Sequence, residues 1–187
     1  MQEIIDKNRP RALQASNFVP NFNIIRANGR WANLPKNIDY LPNFTLSELI
    51  LFRPLVLSFF SPSWNNYAEI HLELLQKAHK RLKNVGAEIL LLTDVAPDDL
   101  DILVSKYKLT FNICHDQENA IAEELGVFSK DYPIWHRITG ISKEVPLPAT
   151  FIIVGNLLII YSFVDDDFES IFSIKEMEAF IKLYRNK

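Results

Sequence analysis

A chain of 187 residues with 48% apolar side chains and a formal net charge of −3 can bury one sizeable core, and no apolar run in it is long enough to span a bilayer. Both charge signs are interspersed, which argues against nucleic acid as the main partner, and the polar start from Met1 to Pro10 shows no secretion signal, so the cytoplasm is the expected location. The single cysteine, Cys114, excludes an internal disulfide and any multi-cysteine metal site.

Residues 1–16 read as an N-terminal arm ahead of a single domain over 17–187. Phe18 to Ile25, then Asn28-Gly29, then Arg30-Trp31 predicts a hairpin, because both residues of Asn-Gly tolerate positive φ. Thr45 and Glu48 have capping-box spacing and should start a short helix. The strand Leu55–Phe60 is followed by a helix over Asn65–Asn84. Its apolar face is read as Tyr67, Ile70, Leu74, Leu75, Ala78 and Leu82, and Gly86 lies beyond its end. A strand at Glu88–Leu92, a helix at Pro97–Tyr107, a strand at Phe111–Cys114 and a helix at Glu118–Leu125 come next. After the loop 126–147 stand strands Ala149–Val154 and Leu157–Val164, then a last helix from Ser173, with Glu176 at the distance of a second capping box. This βαβαβα–ββ–α order predicts an α/β mixed sheet with helices on both faces.

The junction between the strand Leu55–Phe60 and the long helix carries the most information. It reads Phe59-Phe60-Ser61-Pro62-Ser63-Trp64-Asn65-Asn66-Tyr67-Ala68. Two further segments are Pro146-Leu147-Pro148-Ala149-Thr150-Phe151 and Phe163-Val164-Asp165-Asp166-Asp167-Phe168. Together, in this order and spacing, they resemble the peroxiredoxin-like members of the alkyl hydroperoxide reductase/thiol-specific antioxidant family. That family has Phe-x-x-x-x-Trp-Cys-Pro-Tyr-Cys at the junction. The resemblance covers about Phe18 to Leu183 and implies a thioredoxin-like, peroxiredoxin-type fold with an N-terminal hairpin extension. It also implies a cis Leu147–Pro148 bond facing the helix start and, as such redoxins commonly self-associate, a homodimer. The loop Tyr132-Pro133-Ile134-Trp135 is a candidate surface for it.

The departures from the family concern chemistry. Asn65 stands at the nucleophile position, Ala68 at the partner-cysteine position and Asn66 at the proline between them. An amide cannot attack a peroxide O–O bond, which requires a polarizable thiolate. The resemblance therefore implies a vestigial pocket of Trp64, Asn65, Tyr67, Ala68 and Pro148, open to an unidentified small molecule or protein, with no cofactor and no metal. Catalysis is assigned to no residue. The alternatives are a thiol-dependent antioxidant oxidoreductase working through Cys114, and a structural subunit of an assembly. Cys114 should lie two strands, about 10 Å, from the junction and pack as a buried hydrophobe. His115 points to the opposite face of that strand. His71 and His79 read as surface or half-buried packing residues, Asp165, Asp166, Asp167 and Glu169 as a solvated turn, and Ser61 and Ser63 as turn or cap residues.

Overall fold

The computed structural model describes residues 10–136 and 138–186. Its elements in order are β1 (Asn23–Ile25), β2 (Gly29–Arg30), β3 (Asn43–Thr45), α1 (Leu46–Leu49), β4 (Leu55–Phe60), α2 (Asn66–Asn84), β5 (Glu88–Thr93), α3 (Leu100–Tyr107), β6 (Asn112–His115), α4 (Ala120–Glu124), β7 (Ala149–Ile153), β8 (Ile159–Val164) and α5 (Ile174–Arg185). One sheet has the order β2-β6-β5-β4-β7-β8. β4, β5 and β6 run parallel, and β2, β7 and β8 pair antiparallel to their neighbours. Every residue of β4 and β5 is buried, so both faces of the sheet centre are covered.

The expected hairpin at Asn28-Gly29 does not form. β1 pairs with β3, and β2 crosses to the edge of the main sheet beside β6. Gly29 is extended, with φ −134°, and a 3₁₀ turn over Arg26–Asn28 separates the two strands. An Asn-Gly pair permits a tight turn but does not oblige one, and here the open edge of β6 supplies a longer-range partner for the backbone.

The capping box of α1 is present, with Thr45 and Glu48 bonding reciprocally. α5 has half of one: the Ser173 hydroxyl accepts from the Glu176 N–H. α2 ends where expected, and Gly86 takes the left-handed conformation, φ +83°, that closes a helix without a Cβ penalty. Its buried stripe differs from the expected one. Ala68, His71, Leu72, Leu75, Ala78, His79 and Leu82 face inward, and Ile70 is 52% exposed. These positions keep i, i+3, i+4 spacing only if both histidines count as inward residues. The described part of the N-terminal arm lies against the domain, with the Leu13 N–H on the Leu125 carbonyl and the Ser16 N–H on the Ile159 carbonyl.

The parallel register sets Phe60 beside Thr93 and Thr93 beside His115. The three strands therefore leave the sheet together, and Ser61, Asp94 and Asp116 follow at their C-terminal ends. α2 starts at that same end of the sheet.

Candidate functional site

At the end of β4 the Ser61 hydroxyl donates to Asp94 Oδ2 at 2.9 Å and accepts the Ser63 N–H at 3.1 Å. It is a turn residue that ties β4 to the loop after β5. Partial burial holds the Asp94 carboxyl above its ordinary range. The turn then drives Trp64 into the core, 1% exposed, where its indole N–H donates to the Pro146 carbonyl at 2.8 Å. Around the Trp64 ring, edge-on, stand Phe60, Tyr67, His71 and Phe168, with ring centres 5.4–5.9 Å away.

Asn65 precedes α2 with φ 56° and ψ −138°. Its carbonyl accepts the Ala68 N–H, but its side chain does not cap the helix. The amide instead donates to the Gly140 carbonyl at 2.8 Å.

Behind Trp64 the chain folds back after β8. Asp165 is buried, and its carboxylate accepts the Asp167 N–H at 3.1 Å and the Ser170 N–H at 2.8 Å. This corrects the solvated-turn reading for Asp165, which organises the loop that presses Phe168 onto Trp64 and Tyr67, whereas Asp166, Asp167 and Glu169 are exposed. The Tyr67 hydroxyl donates to the Ser170 carbonyl at 2.6 Å. Burial and the nearby Asp165 charge push the phenol upward, so it stays neutral. Among the described residues no group of three or more His, Cys, Asp or Glu could hold a metal ion.

Pro148 is buried, and its carbonyl accepts the Asp165 N–H. No peptide bond among the described residues is cis, so the Leu147–Pro148 bond is trans and that expectation is corrected. Trans is the lower-energy isomer of an X-Pro bond, and the Leu147 N–H is anchored on the Val127 carbonyl at 2.7 Å.

On the opposite side of the junction, between α2 and α3, is an open cleft of about 480 Å³. Phe60, Ala68, Val95 and Leu103 form its apolar floor, and Asn65 and Asn66 stand at its mouth. Glu69, Asp99, Lys106 and Tyr107 complete the wall, with the Lys106 ammonium 4.8 Å from the centre of the Tyr107 ring. Of the five expected pocket residues, the structure places Asn65 and Ala68 on this cleft. Trp64, Tyr67 and Pro148 do not line it. Trp64 and Tyr67 instead pack together under Phe168.

Cys114 lies on β6, with β5 between it and β4. It is 3% exposed, and burial, reinforced by Asp116, pushes its thiol up to about 12. Its Sγ–H donates to the His115 carbonyl at 3.6 Å, and His115 Nδ1 lies 2.9 Å from the Val95 carbonyl. No imidazole activates the thiol among the described residues. The Asp116 carboxylate accepts the Ile121 and Ala122 N–H groups at the start of α4.

Neither helix histidine is a surface or half-buried residue. His71 is fully buried, 3.0 Å from the Ser58 hydroxyl, which is 2.8 Å from the Thr150 hydroxyl. Its Nδ1 has no partner among the described residues, and burial pushes it down to about 3. His79 spans Thr110 Oγ1 at 2.8 Å and Glu88 Oε1 at 2.6 Å. The signal that could have found both is their place on the helical stripe shared with Leu72, Leu75 and Leu82.

A mixed sheet with parallel β4–β6, a β7–β8 hairpin and a long helix starting beyond the C-terminal end of β4 defines a thioredoxin-like fold of peroxiredoxin type. The sequence pattern of the AhpC/TSA family matches residues 32–162, and the chain belongs to that family. Solved structures agree on the fold. The reduced 2-Cys peroxiredoxin of Plasmodium vivax superposes with TM-score 0.68 at 14% identity, covering 93% of this chain and 83% of that one. Peroxidoxin BcpB of Mycobacterium tuberculosis gives TM-score 0.66 at 15% identity over 91% and 97% of the two chains. Enterococcus faecalis AhpC gives 0.68 at 11% over 92% and 93%. No curated protein sequence matches the chain.

Proposed function

We propose that this redoxin has lost thiol peroxidase and disulfide chemistry and acts as a binding module, taking a small molecule in the cleft at the start of α2. One observation carries this reading. Asn65 and Ala68, at the two cysteine positions, both line the cleft, so the place where substrate would meet thiolate is retained without a nucleophile. Antioxidant activity through Cys114 is the poorer reading, because a buried thiol pushed up to about 12 is protonated at neutral pH and two strands from the cleft. The test is peroxide consumption with dithiothreitol as reductant. No turnover above the blank is expected, and turnover that Cys114→Ser abolishes would overturn the proposal in favour of the Cys114 enzyme.

For assembly we propose a homodimer anchored by Trp135, which is 42% exposed, whereas Ile134 of the same loop is buried in the core. A monomeric mass by light scattering at micromolar concentration would rule this out. No described helix is long and apolar enough to cross a membrane. A cytoplasmic location belongs to the same proposal.

A further inference from the structure

The wall of the cleft is sided in charge. Glu69 comes from the first turn of α2, and Asp99 from the 3₁₀ turn over Pro97–Asp99 that leads into α3. Among the described residues Lys106 is the one cationic side chain on the cleft. One ammonium against two carboxylates leaves a negative charge uncompensated. Asp98 stands next to Asp99, and Asp101 nearby is already paired with Arg30 at 2.6 Å.

Lys106 shows what the wall accepts. Its ammonium lies over the Tyr107 ring, held by the ring's negative face. An ammonium belonging to the protein itself is thus already accommodated on the cleft wall. Below it the floor of Phe60, Ala68, Val95 and Leu103 offers apolar area, and a volume of about 480 Å³ falls within the range of small-molecule sites.

We propose that the cleft binds small organic ammonium compounds with an apolar or aromatic body, the body on the Phe60–Leu103 floor and the cation between Glu69 and Asp99. The inference rests on the binding-module reading above and names its ligand class. Lys106 then acts as an internal competitor: its side chain is displaced, or shares the negative wall, when the ligand enters.

The experiment is a titration of the full chain at low, fixed ionic strength, followed by amide NMR. The probes are 2-phenylethylamine and 3-phenylpropanoate, similar in shape and opposite in charge. The amine should bind at least ten-fold more tightly than the acid, with saturable shifts at residues 68 and 103. The double variant Glu69→Gln/Asp99→Asn should weaken the amine about ten-fold, and Lys106→Met should tighten it several-fold. The last result separates a negative cleft from a general apolar one. Tighter binding of the acid, equal binding of both, no saturable shift, or weaker amine binding in Lys106→Met would each overturn the proposal. Leu103→Trp, checked for unchanged amide dispersion, should block the amine, and full affinity in that variant would place binding elsewhere and overturn it too. If the amine fails while the chain remains inert to peroxide, only this inference falls. Peroxide turnover removes the binding-module reading whatever the amine does.

Discussion

Asn65 and Gly140 hold each other in place. The Asn65 amide reaches the Gly140 carbonyl at 2.8 Å, and a Cβ on Gly140, whose φ is +88°, would come within 2.8 Å of that amide. Asn65 itself has φ 56° and ψ −138°, a positive-φ conformation outside the left-handed helical region that strains any residue carrying a Cβ. The junction is therefore built around an amide and is more than a thiol site with one group exchanged.

Two substitutions separate the bond from the strain. Asn65→Ala loses the Gly140 contact and places a Cβ-bearing residue without local hydrogen bonding at positive φ. It should cost about 1–2 kcal/mol in urea unfolding. Asn65→Gly loses the same bond but relieves the positive-φ backbone, and should cost about half of that. Equal losses for the two would mean that backbone conformation contributes nothing here.

Restoring thiols tests whether the helix start can still activate one. In Asn65→Cys/Ala68→Cys the two sulfurs are one turn apart at the N-terminus of α2, where the macrodipole favours a thiolate. The thiol at position 65 should titrate below the ordinary value of about 8.5, and the pair should form a reversible disulfide. An ordinary titration with no disulfide under oxidation would show that the Asn65–Gly140 arrangement has remodelled the junction beyond recovery by two side chains.

His71 makes stability depend on pH in one direction. Its folded value, about 3, lies below its ordinary 6.5. Between these values the unfolded chain binds a proton that the native state does not. The native state is thus undiminished above pH 6.5 and weakens as pH falls toward 3, by up to about 1.4 kcal/mol per pH unit. His71→Gln can keep a bond to Ser58 without titrating, so unfolding curves from pH 7 to pH 4 should show a shallower loss. Parallel losses in the two proteins would remove His71 as the cause.

Cys114 should resist thiol reagents in the native protein and react readily in denaturant. With the thiol 3% exposed and pushed up to about 12, native labelling at pH 8 should be at least a hundred-fold slower. Similar rates in both conditions would place Cys114 at the surface.

Asp165→Ala should loosen the loop over Trp64. Two N–H groups, those of Asp167 and Ser170, lose their acceptor. A loss of about 1–3 kcal/mol is expected, the cost of unsatisfied donors at a partly buried site. Unchanged stability would mean that water replaces the carboxylate at no cost.

Most of the architecture is readable from periodicity and punctuation. The βαβαβα–ββ–α order, the Thr45 cap and the Gly86 terminus all follow from local rules, and local rules hold where neighbouring residues decide. They fail where a distant partner decides. Asn28-Gly29 permits a hairpin, but β2 finds the edge of β6, which lies more than eighty residues further along the chain. His71 and His79 are polar by type and inward by position, and only their partners Ser58, Thr110 and Glu88 explain why burial is tolerated. At the junction, the residue types at positions 65 and 68 are plain in the sequence. The side on which the cleft opens is not, because it depends on how Phe168 and Asp165 close the opposite side.

The enclosure of Trp64 has a practical consequence. An indole held in a fixed asymmetric setting of Phe60, Tyr67, His71 and Phe168, and bonded to the Pro146 carbonyl, is a built-in optical reporter. Its emission should be blue-shifted and shielded from iodide, in contrast to that of the exposed Trp135. Because Phe60 touches Trp64 on one side and floors the cleft on the other, a molecule entering the cleft should change the near-ultraviolet circular dichroism of this ring without any label.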